Sequence, residues 1–94
     1  MEDVRILMKG KKRIGLYQLT ARGKELEITR IFIIPSYQRK GIGLSYMKYF
    51  ERLGFSHLTL QVWDNNPARL FYKKLGYKEE KTKNHKIFMR KVLK

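Results

Sequence analysis

The stretch that most constrains the fold of this chain is residues 25–76, where the spacing of apolar side chains changes three times. Residues 25–34, ELEITRIFII, alternate and are rich in β-branched side chains, which predicts a strand. Residues 44–53 then place apolar side chains at helical spacing, residues 57–63 alternate again, and residues 66–75 return to helical spacing. A strand–helix–strand–helix order predicts a sheet with helices packed against it.

Glycine, proline and asparagine residues mark the ends of these segments. Pro35 follows the first strand and predicts its end. Gly54 and Gly76 follow the two helical segments and predict their C-terminal stops. Asn66 fits the N-cap of the second helix and Pro67 fits its first position, because proline lacks the N–H that a helix start leaves unpaired.

Short alternating segments flank this central unit. Val4 lies in a first strand, residues 13–20 form a second that pairs with it as a hairpin, and residues 77–81 and 85–93 form a final pair. The predicted order is β-β-β-α-β-α-β-β, which places the chain in the α/β (α+β) class with a mixed sheet. Ninety-four residues without a repeat or a linker predict a single domain over residues 1–94.

The third predicted strand carries a break in its alternation. Leu26 and Ile28 share one parity, whereas Ile31 and Ile33 share the other. Since successive side chains of a strand point to opposite faces, all four reach one core only if a residue is inserted between the two pairs. We therefore predict a β-bulge near residues 29–31.

The charge balance is the strongest compositional feature. A net charge of +14 favours a polyanionic partner such as nucleic acid, an anionic membrane surface, an acidic protein or a phosphorylated cofactor. A lysine-rich solvated surface explains the same charge equally well. Because the chain has no cysteine and two histidines, we predict neither a disulfide nor a metal site. No apolar run approaches the roughly 20 residues of a membrane helix, and the start lacks a signal peptide, which predicts a soluble, cytoplasmic protein.

Residues 38–43, QRKGIG, lie between the third predicted strand and the first helix. The first turn of a helix presents unpaired N–H groups and a partial positive charge, and glycines let a phosphate approach the backbone closely. Arg39 and Lys40 add positive charge beside them. The segment is neither a GxxxxGK[ST] loop nor a GxGxxG fingerprint. A phosphate site and a tight strand-to-helix turn therefore both fit these residues.

A second motif follows the fourth predicted strand and changes this balance. Its positions are Asn65, Ala68, Tyr72, Gly76 and Tyr77, in an N-x-x-A-x-x-x-Y-x-x-x-G-Y pattern. Together with the Q-x-x-G-x-G of the earlier loop, it resembles the GNAT superfamily of acyl-CoA N-acyltransferases. The resemblance runs from the second predicted strand to the end of the fifth. It implies a GNAT-like mixed sheet in which the third strand splays to admit the cofactor.

The resemblance implies where acetyl-CoA, the acyl-donor co-substrate, would bind. Backbone amides of the glycine loop and of the first helical turn would hold the pyrophosphate. Backbone groups of the third strand would pair with the pantetheine arm, and Asn65 would hydrogen-bond it. The 3′-phosphate would lie near Arg69 or Lys73. The residues implied in cofactor binding are Phe32, Ile33, Ile34, Gln38, Arg39, Lys40, Gly41, Ile42, Gly43, Leu44, Asn65, Arg69 and Tyr72.

The resemblance also implies two catalytic side chains. Tyr72 would protonate the departing thiolate, and Glu27 would accept the proton of the attacking amine, as in one histone-type branch of the family. Each residue has a plainer interpretation as well. Tyr72 lies on the apolar face of its helix, where core packing explains it, and Glu27 fits a solvent-facing strand carboxylate.

The sequence departs from the family pattern at its start. Members usually begin with a strand and two helices before the hairpin that starts here at Val4, so we predict a truncated GNAT-like domain. Its acceptor site would be open and suited to a protein terminus, a lysine or a polyamine. An uncovered apolar sheet surface would favour a homodimer.

The function predicted from these observations is N-acetyltransfer from acetyl-CoA to a primary amine. Two alternatives use the same fold without catalysis. One is a basic, nucleic-acid-associated protein, and the other is a CoA sensor that regulates a partner.

Overall fold

A computed structural model describes residues 4–94 of the chain. These residues form six strands, one short 3-10 turn and two α-helices. The strands are β1 (Val4–Lys9), β2 (Lys12–Arg22), β3 (Glu25–Ile33), β4 (His57–Trp63), β5 (Lys78–Lys83) and β6 (Lys86–Val92), and the helices are α1 (Ile42–Glu51) and α2 (Ala68–Lys74). The predicted order of strands and helices and the predicted α/β class are confirmed.

The strands form one mixed sheet in the order β1-β2-β3-β4-β6-β5. Among the strands of residues 4–94, only β3 and β4 are parallel neighbours, and the other pairs are antiparallel. Two parallel neighbours need a crossover connection, and α1 supplies it. The start of α1 therefore lies just beyond the carboxyl end of β3, in the middle of the sheet.

β3 carries the predicted bulge. Two successive residues of β2, Gln18 and Leu19, pair with Arg30 and Ile28 of β3, so Thr29 is the additional residue. An additional residue reverses the parity of the strand that follows it. The break in alternation that the sequence shows is thereby explained, and the predicted bulge near residues 29–31 is confirmed.

The main core lies between one face of the sheet and the two helices. Met47 and Phe50 of α1 are completely buried, in one cluster with Leu58 and Leu60 of β4 and with Tyr72 of α2. Removing these side chains from water is the dominant favourable contribution to folding. Because both helices pack on the same face, the core also fixes the position of α2 relative to β4.

A smaller apolar cluster lies at the other end of the sheet. Leu7, Ile14 and Ile33 are buried there, and Tyr37 and Ile42 pack against them. This cluster connects the β1–β2 hairpin to the loop before α1. The hairpin and that loop are therefore held side by side.

The sheet face opposite to the helices is largely uncovered by residues 4–94. Cross-strand pairing aligns Ile6 with Leu16 and Leu16 with Phe32, which places these residues on one face. Val4, Ile6 and Phe32 are 44%, 49% and 50% exposed. The predicted uncovered apolar sheet surface is therefore present in the described part of the chain.

The helix ends differ from the predictions by a few residues. α1 begins at Ile42, ahead of the predicted apolar stretch from Leu44, and it ends at Glu51, ahead of the predicted stop at Gly54. α2 begins at Ala68, directly after Pro67, and the Asn66 side-chain oxygen accepts a hydrogen bond from the Ala68 amide at 2.9 Å. Neither helix of residues 4–94 is long and apolar enough to cross a membrane.

Candidate active site

β3 and β4 separate along their length and leave a cleft between them. They pair only where residues 25–28 lie beside residues 57–60. Beyond this point β3 stays paired to β2, and a cleft of about 380 Å³ opens between β3 and β4. The bulge at Thr29 lies at the start of the separation, since it directly follows the last paired residue, Ile28. The predicted splaying of the third strand is therefore present.

The walls of the cleft combine strand backbone with a few side chains. Residues 28–32 of β3 form one wall and residues 60–62 of β4 form the other. Leu16, Asn66 and Tyr72 complete the lining. A strand edge without a neighbouring strand presents peptide groups that an extended ligand can pair with.

The register of β2 and β3 decides which peptide groups face this cleft. The Ile34 N–H donates to the Ile14 carbonyl at 2.8 Å, so this pair is hydrogen-bonded within the sheet. Hydrogen-bonded and non-hydrogen-bonded pairs alternate along an antiparallel ladder. The peptide groups of Phe32 therefore also point to β2, whereas those of Ile33 and Ile31 point into the cleft. The expected backbone contacts of Phe32 and Ile34 to the cofactor stay a prediction, and the register gives Ile33 and Ile31 the more direct approach to the cleft.

The loop that follows β3 is held to the end of the strand. Residues Pro35–Tyr37 form a 3-10 turn, which the sequence analysis did not predict. The Gln38 side-chain amide then donates to the Ile33 carbonyl at 2.7 Å. Gln38 thus holds the loop in place, and the Ile33 carbonyl already accepts a hydrogen bond from it. The Ile33 N–H is the group of that residue left to face the cleft.

The glycines of the loop leave open space at the start of α1. Gly41 has φ +80°, a conformation that side-chain-bearing residues rarely adopt, and it precedes the first helical residue. A Cβ atom added at Gly41 or at Gly43 would meet no described atom within 4 Å. The first intrahelical bond runs from Ser45 N to the Gly41 carbonyl at 3.0 Å. The amides of Ile42, Gly43 and Leu44 precede it, so helix geometry leaves them without an intrahelical acceptor.

Two basic side chains flank these amides. Arg39 and Lys40 are exposed, and Arg39 has φ +62°. The loop therefore brings together positive side chains, unpaired helix amides and space for a group in contact with the backbone. Each of these properties favours a phosphate.

The two neighbouring asparagines lie in different surroundings. The Asn66 N–H donates to the Trp63 carbonyl at 3.0 Å and closes a tight turn. Both asparagines are exposed, but Asn65 is a central residue of this turn and only Asn66 lines the cleft. The residue implied by the family motif is thus placed at the tip of the turn. Asn66, which the capping pattern assigned to the helix start, is the asparagine that lines the cleft.

Tyr72 reaches the cleft from the helix-covered face. Its side chain is 8% exposed, and burial raises the pKa of its phenol above the usual value of 10.0. The neutral, protonated phenol is therefore the form present at neutral pH, as a proton donor requires. The Tyr72 ring also packs on Tyr77, with 6.0 Å between the ring centroids.

Glu27 lies on the other face of the sheet. It is the residue before Ile28, so its side chain points away from the helices. A guanidinium nitrogen of Arg22 lies 2.6 Å from one of its carboxylate oxygens. Glu27 lines a neighbouring opening that shares Thr29, Gln61 and Val62 with the cleft. Glu27 and Tyr72 thus approach the same gap from opposite faces of the sheet.

Arg69 is held by an ion pair on the outer side of α2. Its guanidinium makes two hydrogen bonds to Glu79, at 2.6 and 3.1 Å. This contact raises the pKa of Arg69 and lowers the pKa of the Glu79 carboxyl. Arg69 does not line the cleft. Contact between Arg69 and a further anion would have to compete with Glu79.

Gly15 is a residue whose role the sequence analysis missed. A Cβ atom at this position would lie 2.2 Å from the Phe32 carbonyl oxygen, so only glycine allows β2 to approach β3 this closely. The sequence does contain a sign of this close approach, because a glycine interrupts the otherwise regular strand RIGLYQLT.

Comparison with protein families gives a match over most of the chain. Residues 2–79 match the family model of the acetyltransferase (GNAT) domain. No match was found among proteins of curated function.

Solved structures match the fold closely. PaiA N-acetyltransferase from Thermoplasma acidophilum, in complex with coenzyme A, is 28% identical, with a TM-score of 0.77 over 90% of this chain and 57% of its own. An acetyltransferase from Thermus thermophilus is 18% identical, with a TM-score of 0.86 over 98% of this chain and 64% of its own. The ribosomal-protein-S18-alanine N-acetyltransferase from Escherichia coli is 23% identical, with a TM-score of 0.78 over 94% and 66%. The chain therefore spans between 57% and 66% of the length of these three proteins.

Proposed function

This chain belongs to the GNAT acetyltransferase family, and we propose that it transfers an acetyl group from acetyl-CoA to a primary amine. The observation that carries the proposal is the position of the cleft. It opens toward the carboxyl end of β3, and the glycine loop and the first turn of α1 follow that strand in the chain. A ligand with an extended arm and a pyrophosphate fits this combination, because strand edges bind extended chains and helix starts bind phosphates.

In this proposal the loop and the helix start bind the pyrophosphate of acetyl-CoA. The amides of Ile42, Gly43 and Leu44 are the donors, and the open space at Gly41 and Gly43 admits the phosphates. Gln38 acts by holding the loop in place. The remaining loop residues, Arg39 and Lys40, add positive charge.

The pantetheine arm then extends along the exposed edge of β3. The Ile33 N–H and the peptide groups of Ile31 are the partners, because they point away from β2. Asn66 is the asparagine that this proposal places beside the arm, since it lines the cleft. Asn65 and Arg69 do not line the cleft, so this proposal places them beside the parts of acetyl-CoA that lie outside it.

The reaction needs a proton donor and a proton acceptor. The amine nitrogen forms a bond to the thioester carbonyl carbon, the carbon–sulfur bond breaks, and the thiolate leaves. Tyr72 lines the cleft and donates its phenolic proton to the sulfur, since the phenol is protonated at neutral pH. Glu27, on the other face of the gap, takes the proton that the amine loses, directly or through water.

The acceptor amine reaches the gap from the open face. Glu27 lies on that face, and the described residues leave the face largely uncovered. A large acceptor, such as a protein terminus, a lysine side chain or a polyamine, fits an open approach better than a small molecule that needs an enclosing pocket.

A homodimer is part of the proposal. The exposed apolar side chains of Val4, Ile6 and Phe32 favour contact with a second copy of the chain. Sedimentation of the native protein against concentration tests this point. A monomer at all concentrations contradicts the dimer without affecting the enzymatic proposal.

Calorimetric titration with acetyl-CoA tests the cofactor site. We expect native protein to bind and Gly43→Glu to lose binding, because a carboxylate would occupy the open space at the helix start. Leu53→Glu is the control, since it adds the same charge about 15 Å away, beyond the other end of α1. Absence of binding by the native protein, or equal binding by native and Gly43→Glu protein, would refute the assigned site.

A further inference from the structure

Three lysine side chains converge on one aromatic ring at the end of the molecule that holds the glycine loop. The ammonium nitrogens of Lys9, Lys12 and Lys40 lie 5.7, 5.2 and 5.2 Å from the centre of the Tyr37 ring. Lys9 and Lys12 come from the β1–β2 hairpin, and Lys40 comes from the loop before α1. All three lysines are exposed to solvent. We call these three lysines and Tyr37 the lysine cluster.

The ring at the centre of this cluster is fixed by the fold. Tyr37 is the last residue of the 3-10 turn, and its N–H donates to the Ile34 carbonyl at 2.9 Å. Its side chain packs against the buried cluster of Leu7, Ile14 and Ile33. The lysines therefore gather around a rigid ring that attracts cations.

No acidic side chain of the described residues neutralises the cluster. Each described acidic side chain is paired with a basic residue in another part of the molecule. These pairs are Glu25 with His57, Glu27 with Arg22, Glu51 with Lys91, Asp64 with His85, Glu79 with Arg69, and Glu80 with Arg90.

The surroundings of the cluster increase its positive charge. Lys11 and Arg13 belong to the same hairpin, and Arg39 precedes Lys40 in the loop. The three ammonium groups lie at most about 11 Å from one another, because all are within 5.7 Å of one ring centre. Their mutual repulsion at this distance is only partly screened by salt. The cluster is thus a site where a polyanion removes repulsion by binding.

We propose that the lysine cluster binds the phosphate backbone of nucleic acid without reading its sequence. About 11 Å of duplex axis carries roughly six phosphates, so one short stretch can neutralise all three lysines at once. A membrane surface fits the cluster less well. Peripheral membrane segments combine lysines with Trp, Phe or Leu anchors, whereas the turn at residues 9–13, KGKKR, contains none.

The cluster adjoins the proposed acetyl-CoA site but is not part of its core. Lys40 is common to both, whereas Lys9 and Lys12 belong to another element of the fold. The proposal does not require the acetyltransferase activity. If both hold, nucleic acid positions the enzyme near acceptors that are themselves bound to nucleic acid.

Fluorescence anisotropy with a labelled DNA duplex of about 20 base pairs tests the proposal, at salt concentrations between about 50 and 200 mM. K9Q/K12Q removes two lysines of the cluster and leaves Lys40 in place. The matched control is K81Q/K86Q, because Lys81 and Lys86 also lie over aromatic rings, each at 4.9 Å, but on β5 and β6.

We expect native protein to bind with a dissociation constant between about 10⁻⁶ and 10⁻⁴ M, as is typical of sequence-independent binding. K9Q/K12Q should bind several-fold more weakly, with a salt slope smaller by about 1.8, since each phosphate contact contributes about 0.9. K81Q/K86Q should change neither value by a comparable amount. Acetyl-CoA binding should be the same in all three proteins.

Four results would overturn the proposal. They are no duplex binding by the native protein, equal weakening in both double variants, loss of acetyl-CoA binding in K9Q/K12Q, and lysine-dependent binding to anionic vesicles without binding to DNA. The third result would assign the lysines to the cofactor, and the fourth would assign them to a membrane. Should K9Q/K12Q melt at a lower temperature, the single variants K9Q and K12Q provide the test, because each keeps two lysines on the Tyr37 ring and should lower the salt slope by about 0.9. An unchanged salt slope in both single variants would also overturn the proposal.

Discussion

The close approach of β2 to β3 at Gly15 makes a sharp prediction about stability. In Gly15→Ala, the new methyl group would start 2.2 Å from the Phe32 carbonyl oxygen, and such atoms are essentially never closer than 3.0 Å. The two strands must therefore separate by at least 0.8 Å at this point, the difference between these distances. The position of the methyl group is fixed by the backbone of residue 15, and the atom it meets is a backbone carbonyl oxygen, so no side-chain rotation can relieve the contact.

The cost can be estimated from two opposing effects. Overpacking of this kind costs about 1–3 kcal/mol, whereas replacing glycine by alanine restricts the unfolded chain and returns about 0.4–1 kcal/mol. We expect a net loss of about 1–2 kcal/mol in the free energy of unfolding. For a domain of this size that corresponds to a decrease in Tm on the order of 10 °C.

Thermal unfolding followed by circular dichroism measures this loss. The matched control is Gly43→Ala, because nothing lies within 4 Å of a Cβ at Gly43 and the residue is in a helix. We expect Gly43→Ala to raise the stability by roughly 0.5–1 kcal/mol. A Gly15→Ala protein that melts at the native temperature would refute the argument from close approach.

Three further predictions concern the candidate site. Tyr72→Phe should lower the rate of amine acetylation by about 10²-fold or more without changing the fold, and Glu27→Gln should also lower this rate. Both rates are measured by thiol release. Unchanged rates in both variants would show that neither residue is catalytic. Gln38→Ala should weaken acetyl-CoA binding in calorimetry, because the loop loses its hydrogen bond to the Ile33 carbonyl. Equal affinity would show that the loop keeps its shape without this hydrogen bond. Burial raises the pKa of both Tyr72 and Tyr77 above 10.0, so the folded state holds these protons more tightly. The contribution of these two tyrosines to stability should be constant below pH 10 and should fall above it by up to about 1.4 kcal/mol per pH unit and per tyrosine. Tyr77→Phe should therefore reduce the slope of alkaline unfolding, as measured by circular dichroism.

The sequence was informative about the fold because its local patterns agree with one another. The alternation of residues 25–34, the helical spacing around Met47 and Phe50, and the glycines that follow the helices all indicate the same order of elements. Even the bulge could be predicted, because a change of parity leaves a visible break in the apolar pattern. Helix ends were less accurate, since side-chain patterns do not reveal where backbone hydrogen bonding stops.

The candidate site was predicted less completely than the fold. Motif positions predicted the glycine loop and Tyr72 as parts of the candidate site, but the choice between Asn65 and Asn66 depends on the shape of one turn. The choice between Ile33 and Ile34 depends on the hydrogen-bond parity of a strand pair, which the residues themselves do not encode. The lysine cluster around Tyr37 joins two segments that are distant in sequence, so no local pattern could indicate it.

The single extra residue of β3 has a consequence for how chains of this kind can change during evolution. Thr29 lies between the part of β3 that pairs with β4 and the part that borders the cleft. Deleting it would exchange inward and outward side chains, and would turn the ligand-facing peptide groups toward β2, in every position up to Ile33. We therefore expect related chains to differ in length in the hairpin turns but not along this strand. An alignment that misplaces the additional residue of β3 by one position would exchange cleft-facing and core-facing residues.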